Sequence, residues 1–158
     1  LSAEYLCHTW TSCYGLATTS LRYFNVYGPR QRIIASNYGL VIPKFLDMLR
    51  RGESPTIFGD GFQTRDFTHV SDVVAANLAA LEAPPGSFYN VGSGVRTDVC
   101  EVAGRLNQAL GTSIEPTFLP EREGDIRHTC AAIDHARIDM GWEPRVSFEE
   151  GLKTLVGG

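Results

Sequence analysis

The sequence predicts an α/β fold. Strand-like and helix-like patterns alternate along its whole length, and two short runs, residues 17–26 and 88–91, have the composition of buried strands. No internal repeat or low-complexity linker interrupts the alternation. With 158 residues, 43% of them hydrophobic, the chain can build one domain with a real core.

In chain order, Ala3, Leu6, Cys7, Trp10, Cys13 and Tyr14 recur at helical spacing, and Gly15 is a natural stop. No capping residue precedes this helix, so it reads as the tail of a longer one. Residues 17–26 follow as a strand ended by Gly28-Pro29. After a polar loop (30–37), residues 42–51 form an amphipathic helix with Pro43 in its first turn and Gly52 past its end. A short strand (56–58), a Gly59-Asp60-Gly61 turn and an extended piece (64–69) come next. Ser71 is the expected N-cap of a helix over 72–82, with Val73, Val74, Leu78 and Leu81 as its apolar face.

Pro84-Pro85-Gly86 breaks that helix ahead of the strand 88–91. Thr97 is expected to cap a helix running to Leu110, and 114–119 and 126–133 to be extended. Asp134 should cap a short helix ending at Gly141. Ser147-Phe148-Glu149-Glu150 fits a capping box for a last helix.

A net charge of −4 argues against bulk nucleic-acid binding, and no apolar run is long enough to span a bilayer. Residues 1–5 have no signal-peptide character, and a cytoplasmic location is expected. Cys7, Cys13, Cys100 and Cys130 include no C-x-x-C pair and no cluster with the four histidines, so no metal site is expected; they read as free, mostly buried thiols. None of the histidines has partners arranged as a nucleophilic triad.

The residues with chemical promise lie at strand ends and in loops. Gly92-Ser93-Gly94-Val95-Arg96-Thr97 follows a strand and opens a helix, but Thr97 stands where a dinucleotide loop needs its third glycine. It reads as a tight strand-to-helix turn, and no G-x-G-x-x-G occurs elsewhere. Arg65 offers a planar fork of donors suited to a diphosphate, with pairing to Asp66 or Asp72 as the plainer alternative. Arg122 lies in Arg122-Glu123-Gly124-Asp125, where a glycine between charges lets backbone approach a ligand or simply forms a solvated loop.

Three segments carry a resemblance: Arg22-Tyr23-Phe24-Asn25-Val26-Tyr27-Gly28-Pro29-Arg30-Gln31, Gly59-Asp60-Gly61-Phe62-Gln63-Thr64-Arg65-Asp66-Phe67 with Val70 and Asp72-Val73 beyond it, and Arg122-Glu123-Gly124-Asp125. They closely resemble blocks of the extended short-chain dehydrogenase/reductases, the NAD-dependent nucleotide-sugar epimerases and dehydratases. The resemblance covers nearly the entire chain and about half of the family's length. It implies the C-terminal part of a Rossmann-type fold: residues 1–36 the tail of the catalytic helix and a strand of the NAD-binding domain, 37–158 mostly the nucleotide-sugar domain, and 86–97 returning to the Rossmann sheet.

By the same resemblance, Arg65 and Arg122 hold the diphosphate of a UDP-sugar, Asn25 donates to a phosphate oxygen, and Thr56 and Phe58 hold the base. Asp125 and Thr129 face the sugar, the small Thr129 leaving room for an N-acetyl group. Tyr23, Phe24 and Val26 lie beside the nicotinamide of NAD. The resemblance departs at Ala132, where relatives usually carry Asp.

The family's catalytic Tyr-x-x-x-Lys pair is absent: four residues after Tyr5 and Tyr14 stand Thr9 and Thr18. In the implied register the lysine immediately precedes Leu1. The resemblance therefore implies the nucleotide-sugar half of a sugar-nucleotide 4-epimerase, inactive by itself and binding no NAD alone. A 4,6-dehydratase portion and a stand-alone binding or oligomerising remnant remain as alternatives. Strands lacking sheet neighbours would favour homo-oligomers.

Overall fold

The computed structural model describes residues 2–32 and 40–157, and helices and short strands alternate through it as the sequence predicts. Strand β1 (Thr19–Tyr23) runs parallel to β6 (Ser87–Val91), with Thr19 opposite Ser87 and Tyr23 opposite Val91. Strand β2 (Asn25–Tyr27) runs parallel to β5 (Phe67–His69). Strand β3 (Thr56–Phe58) is parallel to β8 (Thr117–Leu119), and β4 (Thr64–Arg65) is antiparallel to β7 (Thr97–Asp98).

Two predicted strands are therefore four. The run 17–26 changes partner at Phe24, whose N–H donates to the Val91 carbonyl (3.0 Å) before Asn25 takes up its pairing with Phe67. The run 64–69 divides at Asp66, with β4 and β5 serving different neighbours. Residues 126–133 form no strand; they touch the ladder only at a Thr64–His128 bridge.

Helices α2 (Val41–Arg50), α4 (Val99–Leu110) and α6 (Phe148–Val156) enclose one core. On α2, Ile42, Phe45, Leu46 and Leu49 recur at the spacing of one helical face and are all buried. They meet Ile57, Leu106 and Leu152, with Tyr27, Phe67 and Phe148 packed as an aromatic group. A second core joins α3 (Val70–Ala79), β6 and α5 (Asp134–Met140) through Val73, Ala76, Tyr89, Val91, Ala136 and Trp142. Buried Asp72 pins the chain here: its carboxylate accepts from the Arg145 and Val146 N–H groups (3.0 and 3.1 Å), and Trp142 Nε1 donates to its carbonyl (3.0 Å).

Three caps differ from expectation. His69, not Ser71, caps α3: its imidazole Nδ1 accepts from the Ser71 N–H. Asp98, not Thr97, caps α4: its carboxylate accepts from the Glu101 N–H (2.7 Å). Ile133 precedes α5, with Asp134 already in its first turn. The Ser147–Glu150 capping box on α6 is present as predicted.

The expected apolar face of α3 is also redrawn. Val73 and Ala76 are buried, whereas Val74, Leu78 and Leu81 are exposed, because β6 and Trp142 cover only one side of the helix. Helix α1 (Ser2–Tyr14) buries nothing completely: Tyr5, Leu6, Trp10 and Tyr14 are exposed, and a bidentate Arg22–Glu4 pair (2.6 and 2.7 Å) ties the helix to β1. The cysteines are free but not mostly buried; Cys13 is exposed and the other three are half-buried. Of the predicted loop 30–37, residues 33–37 lie outside the described residues.

Candidate functional site

The turn after β3 builds the site. Gly59 and Gly61 both have left-handed backbone (φ 76° and 80°), which glycine alone adopts without strain. Between them the Asp60 carboxylate accepts from the Phe62 N–H (3.0 Å) and from both terminal nitrogens of Arg127 (2.7 Å each). The Arg127 guanidinium, aided by the Phe62 N–H, holds the Asp60 carboxyl at about 2. This ion pair lays the 122–128 segment across the turn. Thr64 fastens the same segment from behind: its N–H donates to the Arg127 carbonyl (2.9 Å), and its carbonyl accepts from the Thr129 N–H (3.1 Å).

Between α2, β3, β4 and this segment lies a cavity of about 410 Å³ lined by Thr56, Phe58, Arg65, Arg122 and Asp125, five of the seven substrate-site residues expected from sequence. The Arg122 guanidinium carbon lies 3.5 Å from the centroid of the Phe58 ring. Arg65 pairs with neither Asp66 nor Asp72. It donates to Asp125 Oδ1 (2.5 Å) and to its neighbour's carbonyl at Thr64 (2.9 Å). Two guanidinium groups from separate strands and loops thus face one cavity whose wall offers an aromatic ring and a strand edge.

Two further lining residues were missed. Lys44, in the first turn of α2, adds a third cation, hidden in the sequence because it reads as the polar face of an amphipathic helix. Buried Gln63 donates through Nε2 to the Phe58 carbonyl (2.8 Å) and holds β3 against the turn, while its Oε1 has no hydrogen-bond partner among the described residues. Its place between the glycine turn and Arg65 was the available signal.

The remaining expected residues are dispersed. Asn25 and Val26 line a smaller cleft that shares Leu40 and Val41 with the main cavity. Tyr23 lies on a different cleft, its hydroxyl donating to Asn77 Oδ1 (2.9 Å), and the Phe24 backbone bonds across to Val91. Thr129 sits behind the segment, its hydroxyl buried without a partner among the described residues.

The family model described as "NAD dependent epimerase/dehydratase family" matches residues 1–92, more than half of the chain. The chain belongs to the NAD-dependent epimerase/dehydratase family. Its α/β, Rossmann-like arrangement with parallel strands resembles solved epimerases. The UDP-glucose 4-epimerase of Thermotoga maritima with UDP-glucose is 41% identical, with a TM-score of 0.93 over 99% of this chain and 50% of that one. The UDP-N-acetylglucosamine 4-epimerase of Methanobrevibacter ruminantium M1, in complex with UDP-N-acetylmuramic acid, is 37% identical (TM-score 0.92; 99% and 50% covered). The UDP-glucose 4-epimerase of Thermus thermophilus in complex with NAD is 32% identical (TM-score 0.87; 99% and 50%). The chain spans about half the length of the curated relatives it matches.

For an NAD-dependent family, the turn after β6 is the natural place to test for a pyrophosphate loop. Its Ser93, Gly94 and Val95 donors are already used. Asp66, fully buried, accepts from the Ser93 N–H and hydroxyl through Oδ1 (2.6 and 2.7 Å), and from Gly94 N–H and Ala131 N–H through Oδ2 (2.9 Å each). There is no spare room either: a Cβ on Gly92 would stand 2.3 Å from the Ala131 Cβ and 2.8 Å from Asp66 Oδ2. This turn does not fit a dinucleotide pyrophosphate.

Proposed function

We propose that these residues form the nucleotide-sugar-binding portion of a sugar-nucleotide 4-epimerase, corresponding to the later part of the family fold. The observation that carries the reading is the convergence of Arg65 and Arg122 on one cavity beside Thr56 and Phe58. A UDP-sugar would set its diphosphate between the two guanidinium groups, each charge-assisted bond contributing roughly 1.5–3 kcal/mol. The base would lie against Phe58 and the edge of β3 at Thr56, and the sugar would extend toward Asp125, with Thr129 supporting that segment from behind. Asn25, on the adjoining cleft, would reach a phosphate oxygen.

Residues 1–36, as a helix tail and a strand, and residues 86–97 would belong to the cofactor-binding domain and the remainder mostly to the substrate domain, a division supported by the parallel pairing of β1 with β6. NAD supplies the hydride acceptor in such chemistry. Tyr23, Phe24 and Val26 would lie beside its nicotinamide and supply nothing for its pyrophosphate. Among the described residues β1 pairs only with β6, and α1 and α3 expose Leu6, Trp10, Val74 and Leu78; these surfaces support self-association or packing against further chain.

Titration calorimetry of the full-length protein with UDP-glucose and UDP-N-acetylglucosamine, against Arg65→Ala and Arg122→Ala, tests the reading. Binding should weaken roughly tenfold or more in each variant. Unchanged affinity in both variants rules out the diphosphate role.

A further inference from the structure

Asp66 lines no part of the candidate cavity described above, yet it ties the end of β4, which carries Arg65, to the segment that carries Arg122 and Asp125. It follows Arg65 directly at the end of β4. One carboxylate oxygen holds the Ser93 backbone and hydroxyl, and the other holds Gly94 and Ala131. The Ala131 bond fixes the far end of the segment that begins at Arg122, while Thr64 fixes its middle through Arg127 and Thr129. The carboxylate is fully buried, so its charge is tolerable only while all four donors stay in place. A small slip of the 127–131 segment along β4 would strand that charge. The segment therefore has one stable register, and that register sets where Arg122 and Asp125 stand relative to Arg65.

We propose that Asp66 is the positioning residue of the two-arginine anion clamp, acting through the 127–131 segment and never touching ligand. The inference rests on the nucleotide-sugar reading for its ligand, though not for its geometry. Asp66→Asn tests it well. The side chain keeps its shape, but an amide nitrogen must then face N–H donors, and one of the two acceptor positions is lost.

In the full-length protein, Asp66→Asn should weaken UDP by roughly ten- to a hundredfold, the equivalent of one charge-assisted bond. Uridine, which lacks the diphosphate, should bind as it does to wild type. Asp72→Asn is the control. It disturbs a second buried carboxylate, held by two backbone donors at a distance from the clamp, and should lower thermal stability while leaving UDP affinity unchanged. Equal losses for UDP and uridine in Asp66→Asn, or an equal loss of UDP in Asp72→Asn, would reduce Asp66 to a structural residue and overturn the proposal.

The two readings fail separately. If Arg65→Ala and Arg122→Ala leave UDP binding intact, the ligand reading falls. The positioning role is then judged by amide hydrogen exchange at Thr64 and Thr129, which link β4 to the segment without touching the Asp66 side chain. Faster exchange at both in Asp66→Asn supports it; unchanged protection overturns it.

Discussion

Arg122 and Phe58 stack face to charge, the guanidinium carbon 3.5 Å from the ring centroid, across a cavity that would also have to admit a pyrimidine. Arg122 is thus held over the aromatic surface before any ligand arrives, at the cost of covering part of it. Phe58→Ala removes both this support and the stacking platform. The expected result is a loss of UDP affinity of about tenfold, consistent with one base–aromatic contact, measurable by calorimetry. Affinity for inorganic diphosphate should fall less, because only the arginine support is lost.

Asp125 competes with any anion for Arg65, which is the more buried partner of the pair. Removing the carboxylate in Asp125→Ala is expected to tighten UDP by about two- to fivefold, the scale of a partly exposed ion pair. A titration at low salt should show it most clearly; weaker binding of UDP would mean that Asp125 orders the loop more than it opposes the ligand.

Two glycines should answer oppositely to the same substitution. Gly92→Ala drives a methyl group into Ala131 and the Asp66 carboxylate and should cost about 1–3 kcal/mol in urea unfolding. Gly104 lies inside α4 with nothing within 4 Å of a new Cβ, so Gly104→Ala should stabilise by about 0.5–1 kcal/mol.

His69 makes stability pH-dependent in a specific window. Burial holds its pKa below the usual 6.5, only partly opposed by the Asp72 charge. Its Nδ1 accepts from the Ser71 N–H, which leaves the neutral ring's proton on Nε2, toward the Thr154 hydroxyl (3.3 Å). A histidine with a lowered folded-state pKa takes up its proton more readily when unfolded. Its contribution is therefore complete above about pH 6.5 and lost as pH falls through the lower folded value. His69→Asn keeps a capping acceptor without the titration. Melting temperatures at pH 7.5 and pH 5.5 should differ less for this variant than for wild type.

The α/β alternation, the amphipathic face of α2 and the Ser147 cap were readable because they depend on spacing within ten residues or so. The division of strands at Phe24 and Asp66 was not, because it depends on partners some thirty to seventy residues away. Caps failed where a neighbour won: Asp98 beside Thr97 holds the Glu101 N–H with its carboxylate, and His69 displaces Ser71 through an imidazole that cap preferences do not anticipate. At the candidate site, family motifs pointed to Thr56, Phe58, Arg65, Arg122 and Asp125, which share a cavity. Lys44 carries no motif, and its helix periodicity concealed it. Thr129, from the same run of motif residues, lies off that cavity, since position within a motif says nothing about which way a side chain turns.

The Asp66 carboxylate occupies a turn whose Gly-Ser-Gly sequence, by itself, suggests phosphate. In effect the protein carries a resident counterion, a covalently tethered stand-in for the anion such turns collect from solution. A turn filled in this way is a joint and no longer a receptor: it fastens the end of β6 to β4 and to the segment at Ala131. Glycine-rich turns elsewhere can be sorted by the same question, whether a buried carboxylate from another strand has already claimed the donors.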